Sequence, residues 1–321
     1  MSDKIILTDS TKIQWTITIG PDGTMYAGFT FNPWIGCSKV SPGCKFCYAE
    51  VSTPTRVHRK RGLELWGVKA ARYITSAGNW AKPRAWNRLA RKLGIRLKVF
   101  CASLADVFED RRDIDAARAA LFKLIEETPF LDWLLVTKRP ECMVRLAPPS
   151  WAAGWPVNVW AGASVEDRDA EARIDHLLLV PAKVLFLSCE PLLEAVDLSR
   201  FLCGAGRAKW VIVGGESGDH ARPFDPEWAR DIMAQVKESG HHVFMKQYGS
   251  KPILRDRYEL SEERFTLLDA AGWTEHAGPP TLADDHGGNP AEWPLEMRVR
   301  EFPASVGAKL GPAQPSLFGP S

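Results

Sequence analysis

Residues 183–190 read KVLFLSCE. Four apolar side chains, Val184 to Leu187, follow one another without alternation, and the run then closes on Ser188, Cys189 and Glu190. A strand with one wet face alternates apolar and polar residues. A continuous apolar run suits a strand buried on both faces, as in parallel sheets. The same design recurs in RLKVFCAS (96–103), LDWLLVTK (131–138), VNVWAGAS (157–164), KWVIVGGE (209–216) and HVFMKQYG (242–249). Their starts lie roughly 25–35 residues apart, the period of β-α units.

Helical patterns fill the intervals. DIDAARAALFKLIEE (113–127) places Ile114, Ala117, Leu121 and Ile125 on one face, and DPEWARDIMAQVKESG opens on Asp225 as N-cap with Pro226 at the first position and ends at Gly240. The expected fold is α/β: a parallel (β/α) barrel, complete or partial, over residues 1–249. FTFNPWIG (29–36) reads as one further strand. A turn-rich appended segment covers 250–303, and a Gly-, Pro- and Ser-rich tail expected to be disordered covers 304–321. Each apolar run ends in polar or charged residues, among them Glu190, Glu216 and Lys246. In a parallel barrel such ends share one mouth, where sites are built.

The chain has 321 residues, of which 45% are hydrophobic, enough for a sizeable core. No stretch reaches about 18 uncharged apolar residues, so no membrane span is expected. The start, MSDKIILTDS, has no basic-then-apolar signal pattern. Seven cysteines without scaffold density then read as reduced thiols in the cytoplasm.

Three of those cysteines, Cys37, Cys44 and Cys47, fall within eleven residues in the loop 36–48. Gly36, Pro42 and Gly43 let that backbone wrap a compact object. Thiolates this close on one loop suit an iron–sulfur cube, with one iron left open for a small molecule. They equally suit zinc, with His58 or Cys101 as the fourth ligand.

CKFCYA resembles the end of the radical S-adenosylmethionine (SAM) motif, in which an aromatic precedes the last cysteine. The usual first gap is three residues, whereas here it is six, Ser38 to Gly43. Over about residues 15–303, the stretches NPWIGCSKVSPGCKFCYAE, TKRP, SCEPLL, VGGESG, MKQYG and RVREFP resemble a phage- and prophage-associated three-Cys-motif family. The radical SAM resemblance implies that Cys37, Cys44 and Cys47 ligate a [4Fe–4S] cluster, that SAM chelates its fourth iron, and that Phe46 packs near the adenine. It further implies an electron donor, and a 5′-deoxyadenosyl radical that abstracts hydrogen from the substrate. Glu190 and Glu216, at expected strand ends, are candidates for SAM contacts. Gly214 and Gly215 would either let a cofactor approach the backbone or make a tight turn.

From Arg56 to Lys98 there are thirteen Lys and Arg against one acid, Glu64, a net of +12 that leaves −10 for the rest of the chain. This basic segment, 56–98, reads as a phosphate-binding surface, with Arg84, Arg88, Arg91 and Lys92 as candidate nucleic-acid contacts. Its tryptophans, Trp66, Trp80 and Trp86, suit the core better than base stacking. Near the end, Gln314, Ser316, Leu317 and Phe318 resemble the pentapeptide by which bacterial repair and replication proteins dock on the sliding clamp. That favours DNA over RNA as partner. Three readings follow: a radical SAM-like enzyme modifying or repairing nucleic acid, a zinc- or cluster-stabilised nucleic-acid adaptor without turnover, and a barrel hydrolase using Glu190 and Glu216.

Overall fold

The computed structural model describes residues 4–204, 206–253, 264–269, 272–277 and 282–304. Seven strands, all parallel, lie side by side in chain order: β1 (Phe29–Thr30), β2 (Leu97–Cys101), β3 (Leu131–Thr137), β4 (Val159–Ser164), β5 (Val184–Cys189), β6 (Ala208–Gly214) and β7 (His242–Gln247). The six doubly apolar runs supply β2 to β7. FTFNPWIG supplies β1, which is short because the chain turns at Pro33 and sends Trp34–Ile35 to pair antiparallel with Tyr73–Ile74. The α-helices include α1 (Thr53–Lys60), α2 (Ala77–Leu93), α3 (Asp115–Glu127), α4 (Ala172–Leu178) and α5 (Pro226–Ser239). Asp225 caps α5 by accepting from the Glu227 amide at 3.1 Å, and Gly240 ends it in the left-handed region at φ +69°.

Period-two alternation divides the sheet between two cores. Val99 and Cys101 of β2, Leu185 and Leu187 of β5, and Val211 and Val213 of β6 pack against Trp86, Leu121, Ile174 and Ile232 of the helices. Their strand neighbours Phe100, Leu134, Trp160, Phe186, Trp210, Ile212 and Phe244 meet on the other face. There the Trp15 ring lies 4.6 Å from Phe100 on β2 and 6.3 Å from Trp210 on β6. In a flat sheet those two strands would stand about 19 Å apart. One indole touching both requires a sheet curled into a half-barrel with an aromatic floor. The curl stays open: among the described residues β1 pairs within the sheet only with β2, and β7 only with β6.

The segment expected as an appendage is partly woven into this body. Trp293 and Met297 are buried in the helix-side core, and Trp293 stacks on Tyr248 at 5.4 Å. Residues 299–301 run antiparallel beside β7, through Met245 N–H to Val299 O (2.8 Å) and Glu301 N–H to Val243 O (2.9 Å). Phe302 then reaches the aromatic floor, 5.3 Å from Phe244. Turn-rich sequence hides this because its apolar anchors follow no helix or strand period. Arg264–Asp269 and Gly272–Ala277 form an antiparallel hairpin. No helix among the described residues is long and apolar enough to cross a membrane.

Gly162 on β4 shows how tightly the inner face is filled. A Cβ there would stand 2.3 Å from the Phe186 ring on the neighbouring strand. Gly162→Ala should therefore cost roughly 1–3 kcal/mol by overpacking, and Gly162→Ala/Phe186→Leu should recover part of it. Chemical denaturation of both variants checks this, and additive losses would refute the contact.

Candidate cofactor site

Cys37, Cys44 and Cys47 line one cavity of about 510 Å³, together with residues from the C-terminal ends of the strands: Lys138, Ser164, Ser188, Glu190 and Lys246. That volume lies within the ~300–1,000 Å³ common for small-molecule and cofactor sites. A larger hollow of about 890 Å³, bounded by Gly218, Ser250 and His286, contains none of the three thiols. The cysteine loop leaves β1 at the mouth and is fixed there by three charged anchors.

The first anchor is Glu166, just past β4 and fully buried. Its carboxylate accepts from the Ser41 hydroxyl and, at 2.7 Å, from Arg173, with Lys138 at 3.6 Å. Gly43 passes so close that a Cβ would meet the carboxylate at 2.6 Å. Burial pushes this carboxyl up, but Lys138, Arg173 and the Ser41 hydroxyl together outweigh it and hold the pKa below the ordinary value.

The second anchor is Arg139, just past β3. Its guanidinium donates to Asp106 at 2.7 Å, to the Ser38 carbonyl at 2.7 Å, and toward Cys37 Sγ at 3.8 Å. Ser38 donates to Glu109 at 2.5 Å, and Glu109 is gripped by buried Arg72 at 2.7 and 2.8 Å. Burial, reinforced by the Asp106 charge, pushes the Cys37 thiol up to about 12 against the pull of Arg139. Cys47 is also raised, chiefly by burial. Such thiols keep their protons at neutral pH until a cation such as a metal centre compensates the charge.

The third anchor is Arg222. It pairs with Glu216 at 2.7 and 2.8 Å, donates to the Pro42 carbonyl at 2.9 Å, and lies 5.5 Å from the Phe46 ring. Tyr48 is held by its hydroxyl donating to Ser103 O at 2.9 Å.

Four acids at this mouth each face a cation: Asp106 with Arg139, Glu166 with Lys138 and Arg173, Glu190 with Lys246, and Glu216 with Arg222. A hydrolytic acid–base pair needs one protonated carboxyl and one free one. Glu190 and Glu216 both line the cavity, each paired with a cation, and through Arg222 Glu216 also braces the loop. Among the described residues, no three His, Cys, Asp or Glu side chains stand close enough to chelate one metal ion. The His58 ring packs tilted against Tyr73 at 4.0 Å and Cys101 is buried in the helix-side core, and neither lines the cavity. A closed zinc site from the triplet and either residue is thus not preformed. A cube differs in need, since each thiolate binds a separate iron. Gly214 ends β6, and Gly215 abuts the Tyr248 backbone, where a Cβ would lie 2.1 Å from the carbonyl oxygen. Neither glycine lines the cavity, which is the tight-turn alternative.

The basic segment is split by the fold. Three of its cations are buried or nearly so: Arg72 on Glu109, Arg96 on Asp132 at 2.9 Å, and Lys98 with its ammonium donating to Ile17 O at 2.9 Å. Arg84 pairs with Glu127 and Lys82 with Asp9. The acids that neutralise them lie elsewhere in the sequence, so the local excess overstated the surface charge. Trp66 and Trp86 are buried, as their sequence context suggested. The 17 residues of α2 extend about 25 Å, from Asn79 bonded to the Asn32 carbonyl near the mouth to Gly94 just before β2 begins. Arg91 and Lys92, in its last turn, therefore lie toward the far pole from the cavity. Gln314, Ser316, Leu317 and Phe318 lie outside the described residues.

Glu166→Gln tests the first anchor. With the folded pKa depressed, the stability from ionised Glu166 is present above the ordinary value of 4.5 and disappears as pH falls through the lower folded value. The variant should be about 3–5 kcal/mol less stable at neutral pH, because Lys138 and Arg173 lose a buried partner. Its stability should also fall less steeply than wild type below pH 4.5. Denaturation midpoints across an acid series measure both effects.

Among solved structures, a mutant of spore photoproduct lyase is similar at 14% identity with a TM-score of 0.39, over 78% of this chain and 68% of that one. A likeness at that level carries no argument about chemistry. No curated protein matches the chain. The family model for a protein of unknown function (DUF5131) matches residues 10–276. With most of its length covered by that match, the chain belongs to the DUF5131 family, whose function is not known.

Proposed function

We propose that this protein is an iron–sulfur, radical SAM-type enzyme that acts on nucleic acid, DNA in preference to RNA. The observation that carries the reading is the convergence of Cys37, Cys44 and Cys47 on one cavity at the C-terminal mouth of a parallel half-barrel. The resemblance of CKFCYA to the radical SAM motif supports it. The preference for DNA rests on the clamp-like Gln314, Leu317 and Phe318.

In this reading Cys37, Cys44 and Cys47 hold a [4Fe–4S] cluster and leave one iron for SAM. When bound, that pair supplies a one-electron reductive cleavage that makes SAM a source of a carbon-centred radical, with the electron coming from an external donor. The chain's own residues position and enclose. Arg139 orients Cys37 by donating toward its sulfur. Phe46 lines the cavity, with Lys45 and Arg222 over its ring at 5.2 and 5.5 Å, and is the aromatic that would pack near an adenine. Glu190 and Lys246 bring opposite charges from β5 and β7 to the same cavity, suited to the amino and carboxylate groups of a zwitterion. The aromatic floor of Trp15 and Phe186 keeps water from entering below.

Anaerobically prepared protein should contain about four irons and four sulfides per chain and absorb near roughly 400 nm. Replacing any one of Cys37, Cys44 or Cys47 by Ala should abolish that band. With a reductant, the loaded protein should release 5′-deoxyadenosine from SAM. Stoichiometric zinc without iron would refute the reading. Iron without SAM cleavage would return the protein to a cluster-stabilised adaptor.

A further inference from the structure

Exposed apolar side chains collect around the cysteine loop. Of fifteen large hydrophobic residues that stand exposed among the described residues, eight fall between Val40 and Ile74. Two are aromatic and fixed in place: Tyr48, 56% exposed and tied through its hydroxyl to Ser103 O, and Tyr73, 39% exposed and packed at a tilt against the His58 ring. Between them in the chain comes α1, whose start is bonded to the loop through Thr55 and the Ala49 carbonyl at 2.7 Å. Arg56 and Lys60 of α1 and Arg61 just after it are exposed, and α1 itself contains no acid. From Lys39 to Lys69 the count is seven Lys and Arg against Glu50 and Glu64, a net of +5 with buried Arg72 left out.

We infer that this rim binds an unpaired segment of nucleic acid and delivers one base toward the thiol cavity. The inference rests on the nucleic-acid part of the reading above and is independent of what the thiols hold. Phosphates need cations, and bases released from a helix need exposed flat or apolar faces. The rim offers both side by side, whereas a duplex hides its base faces. Tyr48 belongs to both places, since it is exposed on the rim and lines the cavity. A base stacked on it is therefore at the entrance. The far end of α2, with Arg88, Arg91 and Lys92, lies toward the other pole and is not needed.

The test uses full-length, anaerobically purified protein and a fluorescent single strand of roughly 16 nucleotides, at the upper end of common site sizes. Wild type should bind it at least about tenfold more tightly than the matching duplex. Arg56→Gln/Lys60→Gln/Arg61→Gln should weaken binding and reduce the salt slope by about 2, at ~0.7 for each single-strand phosphate no longer neutralised. Tyr48→Ala should lose about tenfold with the salt slope unchanged, the mark of missing base stacking. Arg88→Gln/Arg91→Gln/Lys92→Gln should bind like wild type. Thermal melting confirms that each variant is folded, and Tyr48→Phe, which keeps the ring, should bind nearly normally. Preference for duplex, weakened binding in the α2 variant alone, or rim-dependent binding to anionic phosphatidylserine vesicles but not to the oligonucleotide would each overturn the inference. Cys37→Ala/Cys44→Ala/Cys47→Ala separates this result from the cofactor reading. Retained strand binding in that variant supports the rim whatever its metal content, and failure of a folded variant to bind overturns the rim's independence.

Discussion

A fully buried carboxylate, Glu166, decides where the cysteine loop sits. It projects from just beyond β4, takes charge from Lys138 of the β3 end and Arg173 of α4, and accepts from Ser41 of the loop. A lone carboxylate there would be too costly to bury. With two cations and a hydroxyl it becomes a joint that fastens three parts of the chain to one point. Gly43 lets the loop close onto that joint. Arg139 and Arg222 repeat the logic on either side, each bound to an acid and donating to a loop carbonyl.

These joints are possible because the sheet is finished elsewhere. Helices cover one face, and Trp15, Trp160, Trp210 and Phe302 fill the lower part of the other. Only the upper part of the concave face remains for polar chemistry, and every charged side chain there arrives from a strand end or from a loop pinned to one. Lys98 lies lower, near the start of β2. It sits on the inner face between the rings of Trp160 and Phe302, at 5.5 and 5.1 Å, and burial lowers its pKa to about 8 despite the Asp132 charge.

The strands were legible because burial on both faces leaves a mark that needs no long-range information: KVLFLSCE has no wet side to encode. The caps of α5 were legible for the same local reason, Asp225, Pro226 and Gly240 being the residues that helix ends require. The site was legible only in its ligands. Cys37, Cys44 and Cys47 announce themselves by spacing, but the groups that hold them do not. Arg72 finds Glu109 thirty-seven positions away, and Arg222 reaches Pro42 across 180. Read locally, Arg72 is one more cation in a basic run, and Glu216 a polar residue at a strand end. Their work as braces is set by folding partners that no window of sequence contains. The run RVREFP, placed in an appended segment, instead pairs with the edge of β7, because backbone pairing asks little of side-chain pattern.

That last pairing has a directional result. Residues 299–301 run opposite to β7, so the chain arrives at Ala304 beside the strand's beginning, at the pole turned away from the thiols. Gln314 follows ten positions later, a reach of at most about 35 Å. A partner bound beyond Ala304 would therefore be joined to the fold at that pole and not at the mouth. Such an attachment would raise the local concentration of the mouth near its substrate.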